Sequence, residues 1–260
     1  MLIRIISSIV ALPLLFFFVL MGGNYLEVAV AVISLIALYE FFNALKKKYN
    51  PVIVPTYILL ILFSLTYHFE LYTVLSGVVT VYIAFLLGLY VFDEKRHFAD
   101  IGVTALGAIY IIFFFYHVIL LSKLEPTFMI WFIFIASWGA DTGAYFIGKK
   151  FGKRKLSPTV SPNKSVEGAI GGVTTSVILC VILSMVFDAS LVPYSIAIGI
   201  VGSLISIIGD LVASKIKREM DIKDYGHIMP GHGGIMDRFD SLLLVTPFIY
   251  YVIKLVLMVK

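Results

Sequence analysis

Cysteine occurs once in the 260 residues, tryptophan twice, and charged side chains make up only 14%. With Cys180 alone no disulfide can form within the chain, which excludes a disulfide-stapled scaffold and leaves the redox compartment open. The low charge and high apolar content exclude intrinsic disorder and a basic nucleic-acid-binding tail. A soluble domain has about 25% charged and about 45–50% apolar residues. Here 60% are hydrophobic and the mean hydropathy is +1.02. One soluble core of this length cannot bury such an excess, so the surplus has to face lipid.

Apolar runs between polar breaks predict nine spans: 5–21, 25–44, 52–68, 71–92, 101–121, 127–148, 167–187, 191–213 and 241–258. Each approaches the roughly 20 residues that a bilayer-crossing helix needs, and 52–68 is among the shortest. The runs are continuous rather than alternating, which points to helices and not a barrel. The predicted class is an all-α, polytopic membrane protein. Arg4 before an apolar stretch resembles the start of a signal peptide, but no small-x-small cleavage site follows 16–20. Residues 1–24 therefore read as a retained first helix.

Seventeen of the twenty Lys and Arg residues fall on one face if the N-terminus is cytoplasmic. Only Lys123, Lys254 and Lys260 fall near the other. This bias predicts N-terminus in, C-terminus out, in the cytoplasmic membrane. For Lys46, Lys47 and Lys48, topology and attraction to anionic lipid are explanation enough. The chain then divides into residues 1–126, with about five spans, and 127–260, with about four spans and the two longest loops.

Those loops mix bases with acids, glycines, prolines and histidine, which a stop-transfer cluster does not need. If the eighth span continues as a helix beyond the membrane, Asp210, Ser214, Lys217, Arg218 and Asp221 share one face. Residues 230–234, Pro-Gly-His-Gly-Gly, cannot be regular helix and predict a tight turn with exposed backbone. Asp237 and Asp240 then open the ninth span, one helical turn apart. A helix dipole alone would also favour acids there. Carboxylates beside Lys and Arg suit Mg²⁺ and phosphate together, because Mg²⁺ prefers few protein carboxylates plus phosphate oxygens. Such a set can stabilise the charge of phosphoryl or nucleotidyl transfer.

Asp141 lies several residues inside the sixth span, where an ionisable group is costly and marks a candidate site, or else a buried hydrogen bond to a neighbouring helix. Asp141, Tyr145 and Gly148 share a face. Two Ser-Pro pairs mark a turn between 156 and 163, and Ser165 is placed to cap the seventh span, with Lys164 adding positive charge. Gly168, Gly171 and Gly172 serve either phosphate access, helix packing or a dimer contact. Glu40, in the last turns of the second span, either snorkels or lines the same cavity. His117, in an aromatic-rich span, reads as structural.

At these two loops the sequence resembles the CDP-diacylglycerol synthases, or phosphatidate cytidylyltransferases. Ser214 through Asp240 follows their signature S-x-apolar-K-R-x₄-K-D-x-small-x₂-apolar-P-x-H-G-G-apolar-x-D-R-apolar-D, with Met229 where Leu, Ile or Phe is usual. Asp141–Gly152 and Ser161–Gly172 follow the family's upstream pattern, with Asn163 replacing a usual Lys and Ser165 a usual Thr. Residues 1–126 share only the multispanning character. The resemblance implies transfer of CMP from CTP to phosphatidic acid, with Mg²⁺ and room for a second cation. It implies Asp210 and Asp237 as metal ligands, with Asp240 and Asp141 nearby. Lys164, Lys217, Arg218, Lys223 and Arg238 would hold phosphates, and Ser214, His232, Gly233 and Gly234 would complete the substrate site. The expected partners are CTP, phosphatidic acid and the bilayer, not nucleic acid, with a homodimer open. The nearest alternative is a CTP-using polyprenol or phytol kinase. A transporter with Asp141, Asp210 and Glu40 on an ion path is disfavoured because the two motif loops show no repeat symmetry.

Overall fold

Lipid leaves a spanning backbone no water to bond to, so apolar runs of this length satisfy their own amides by coiling. The computed structural model describes residues 2–231 and 233–259, with side chains described from 9 to 258 except at 232. His232 therefore lies outside the described residues, as do the side chains of Arg4 and Lys260.

The helices in chain order are α1 (Leu2–Met21), α2 (Gly23–Leu45), α3 (Ile53–His68), α4 (Leu75–Phe92), α5 (Phe98–Ser122) and α6 (Thr127–Phe151). They continue with α7 (Val166–Phe187), α8 (Val192–Glu219) and α9 (Met236–Val259). α5 and α6 run through π-helical turns at Ile109–Phe113 and Ile135–Gly139. Among the described residues, seven helices are long and apolar enough to cross a membrane. Ile9–Met21 and Ile53–His68 are shorter apolar helices, and they coincide with the first and third predicted spans. The architecture is all-helical and multi-pass. It is interrupted by a hairpin of β1 (Lys155–Ser157) and β2 (Ser161–Ser165), antiparallel, where a turn alone was expected.

The chain separates into two compact units, residues 1–119 with 220–238 and residues 120–219 with 239–260. In the first, Leu38, Phe42, Phe63, Tyr67, Leu86, Ile111, Ile112 and Tyr116 are fully buried. Gly107 permits close packing of α2 on α5, since a Cβ there would lie 2.7 Å from the Phe41 ring. The α2–α3 connection is pinned to the start of α5: Asp100 accepts the Asn50 amide at 2.8 Å and the His97 amide at 2.9 Å. The Val52 amide donates to Thr104 Oγ1 at 2.9 Å. α4 buries only Tyr82 and Leu86 and leaves its other apolar side chains outward, as a lipid-facing helix does.

In the second unit, glycines let α6 and α7 meet backbone to backbone. A Cβ at Gly172 would lie 2.7 Å from the Ala140 carbonyl oxygen, and one at Gly168 would lie 2.9 Å from that of Ala144. This internal packing uses the glycines for which a dimer contact was also open. Ser165 caps α7 as expected, its Oγ accepting the Gly168 amide at 3.1 Å. Gly209 brings α8 against the backbone of α9, 3.0 Å separating a Cβ there from the Asp240 carbonyl oxygen.

Candidate active site

In the second unit the acids and bases converge on Lys164. The hairpin carries this lysine, and its geometry is set by Glu167 in the first turn of α7. The Glu167 carboxylate accepts the Lys153 and Arg154 amides at 3.0 and 3.1 Å and pairs with Arg154 Nε at 3.0 Å. The Val166 amide closes the base of the hairpin on the Arg154 carbonyl at 2.9 Å. Lys164 Nζ forms an ion pair with Asp210 Oδ2 of α8. Burial pushes the Lys164 ammonium below the usual lysine range, the charges of Asp141 and Asp240 oppose that, and Lys217 adds to it. Acids of three helices thus act on the same ammonium: Asp210 of α8 pairs with it, and the charges of Asp141 on α6 and Asp240 on α9 favour its protonated form.

Ser241 ties α9 to α6. Its hydroxyl donates to Asp141 Oδ2 at 3.3 Å and shares a 2.8 Å hydrogen bond with the Ser137 hydroxyl, while its amide donates to Asp240 Oδ1 at 2.8 Å. The Ser137 and Ser241 roles were missed in the sequence, where a serine beside an aspartate is no signal in itself. α8 does continue beyond its apolar stretch, so Asp210, Ser214, Lys217 and Arg218 lie on one helical face. Asp221 does not join them: the helix ends at Glu219, and Asp221 takes a left-handed φ of 52°.

In the first unit, residues 220–238 form the loop that holds the other expected site residues. The predicted tight turn is present, with Gly231 and Gly233 at φ 77° and 89° and the Met229 amide bonded to the Gly233 carbonyl at 2.9 Å. Asp237 is buried, and its Oδ2 accepts the Tyr225 amide at 2.8 Å and the Gly234 amide at 3.0 Å. The Gly234 amide is thus committed within the loop. Lys223 and Arg238 are exposed. Glu40 does not snorkel: it is 4% exposed, and its Oε2 accepts the Met236 amide at 2.9 Å. His117 is structural as expected, with its Nδ1 hydrogen-bonded to the Phe113 carbonyl oxygen at 2.7 Å.

The profile of the Cytidylyltransferase family matches residues 2–256. The chain belongs to this family. It is similar to a phosphatidate cytidylyltransferase of Bacillus subtilis (strain 168), 35% identical over 264 residues that cover 97% of both chains. One from Staphylococcus aureus (strain COL) is 34% identical over 257 residues, covering 95% of this chain and 96% of the relative. A Haemophilus influenzae phosphatidate cytidylyltransferase is 45% identical over 130 residues, 48% of this chain and 45% of its own. The cytidylyltransferase match includes residues 2–126, where the motifs are silent.

Proposed function

We infer that this cytidylyltransferase is a phosphatidate cytidylyltransferase, which transfers CMP from CTP to phosphatidic acid and releases pyrophosphate, making CDP-diacylglycerol for phospholipid biosynthesis. One observation carries the reading beyond the family: in the second unit Lys164 pairs with Asp210, and the charges of Asp141 and Asp240, from two further helices, act on the same ammonium. Binding a polyphosphate and neutralising its charge is what such a mixed set does well.

In the reaction a phosphate oxygen of phosphatidic acid attacks the α-phosphorus of CTP. The bond from that phosphorus to the bridging oxygen breaks, and pyrophosphate leaves with the electron pair. The attacking phosphate is already ionised, so positioning and charge neutralisation supply most of the catalysis. Lys164, Lys217 and Arg218 of the second unit and Lys223 and Arg238 of the first are assigned to the phosphates of CTP and lipid, and Ser214, His232 and Gly233 to the substrate as well. Gly234 contributes by having no side chain.

Carboxylate oxygens are the donor type for Mg²⁺, and Asp210 already faces a cation in the Lys164 ammonium. Among the described residues no three acidic, His or Cys side chains converge as a ligand set. Mg²⁺ takes one or two protein carboxylates and fills its shell with phosphate oxygens and water. We assign Asp210 of the second unit and Asp237 of the first each as a Mg²⁺ ligand, with Asp141 and Asp240 able to serve a second cation. Mg²⁺ would supply charge neutralisation at the phosphate oxygens.

The lipid-facing helices keep the enzyme where its substrate is, and phosphatidic acid reaches it from the cytoplasmic leaflet with the acyl chains still in lipid. The test uses purified protein, phosphatidic acid, Mg²⁺ and CTP labelled at the α- or γ-phosphate. α-Label in lipid with pyrophosphate release is expected, and γ-label in lipid would identify a kinase instead. EDTA should stop turnover and Mg²⁺ restore it. A homodimer would have to use a surface other than the α6–α7 glycines, and light scattering of the detergent-solubilised protein measures it.

A further inference from the structure

Glu40 sits on α2, 196 residues before the amide it binds. Burying a carboxylate near the end of a membrane helix is costly unless donors meet it. Here the donors are backbone amides: Met236 donates to Oε2 at 2.9 Å, and the Ile235 amide faces the same carboxylate. The fit is also steric. A Cβ on Gly226 would run into Glu40 Oε1 and Cδ, and a Cβ on Gly234 would run into both carboxylate oxygens. Gly226 has no left-handed backbone that would demand glycine, so the space filled by Glu40 is the reason on the page for its lack of a side chain. Asp237 works from the other side of the loop, on the Tyr225 and Gly234 amides. Tyr225 in turn packs on Phe41, the next residue of α2, with ring centroids 6.1 Å apart.

We propose that Glu40 is a positioning residue for the reaction: its carboxylate docks the 225–237 loop on α2, and Gly226 and Gly234 are the clearance it requires. Glu40 acts through backbone amides and not on substrate. The proposal rests on the cytidylyltransferase reading for its effect on turnover, while the docking itself is measured without substrate.

The experiment compares full-length wild type, Glu40→Ala, Glu40→Gln, Gly226→Ala and the Glu40→Ala/Gly226→Ala double variant. The readouts are CDP-diacylglycerol formation, unfolding midpoint and hydrogen exchange of the apo protein. Loss of a buried charge-assisted hydrogen bond predicts a fall in kcat/KM of about 10- to 100-fold for Glu40→Ala. Faster exchange should be confined to residues 225–237. Glu40→Gln keeps an acceptor of the same shape and should retain most of the activity. Gly226→Ala should cost less in the Glu40→Ala background than in wild type, because the clash is gone.

Three results would overturn the proposal. One is Glu40→Ala with normal turnover and exchange. Another is faster exchange throughout the first unit with a lowered midpoint, which is a general folding role. The third is Glu40→Gln as inactive as Glu40→Ala with the loop still protected, which is direct action on substrate. A wild type that makes no CDP-diacylglycerol would instead refute the functional reading, and the exchange comparison would still decide the docking.

Discussion

Asp237 and Asp240 look equivalent in the sequence, two acids one turn apart at the start of a helix. Their partners separate them. Asp237 Oδ2 receives two amides of its own loop, whereas Asp240 faces Lys164 and takes the Ser241 amide. Asp237→Asn keeps the shape and an acceptor for the two loop amides but removes the charge. Turnover should fall by at least about 100-fold, which is about 2.7 kcal/mol of lost transition-state stabilisation. Comparing pyrophosphate release with the unfolding midpoint checks this, and near-normal turnover in a folded variant would remove Asp237 from the machinery. Lys164 was legible as a positive charge at the start of α7, but not as the partner of Asp210 on which the charges of Asp141 and Asp240 also act. Helical spacing identifies neighbours within one element and carries no information about which elements pack together.

At the scale of elements, the hairpin depends on two polar contacts at the start of α7. Ser165→Ala removes the cap and should cost about 1 kcal/mol, read as a lower unfolding midpoint. Glu167→Gln removes the charge that gathers the Lys153 and Arg154 amides. Trypsin should then cut at 153–155 faster than in wild type while the helices resist, and an unchanged rate would show that the strands alone hold the hairpin. The α6–α7 contact makes a sharper demand. Gly172→Leu drives a side chain into the Ala140 carbonyl and the Ala144 methyl, so the protein should lose both yield and thermal stability in detergent. A small residue at 172 was legible as a packing or ligand signal, and the facing helix was not.

For the whole molecule, the distribution of basic residues argues for a cytoplasmic N-terminus and an external C-terminus. Cys180 is buried, so the wild-type chain should give a low background with a membrane-impermeant maleimide. Cysteines introduced at Lys48 and Lys95 should react only from the cytoplasmic side, and one at Glu125 only from the other. The reverse pattern would invert the topology and put the loops on the wrong side for CTP.

Composition determined that this chain must face lipid, because one soluble core cannot bury its apolar excess, and the continuity of the apolar runs made it a multi-pass helical protein. The motif residues of the two loops determined the family, and with it the chemistry. Tertiary structure alone decided that 220–238 belongs with the N-terminal helices through Glu40, and that Asp141, Asp210 and Asp240 share one lysine. The physical reason is range. Hydropathy, capping and turn chemistry act over a few residues of chain. A carboxylate bound to an amide 196 residues away exists only once the helices have packed.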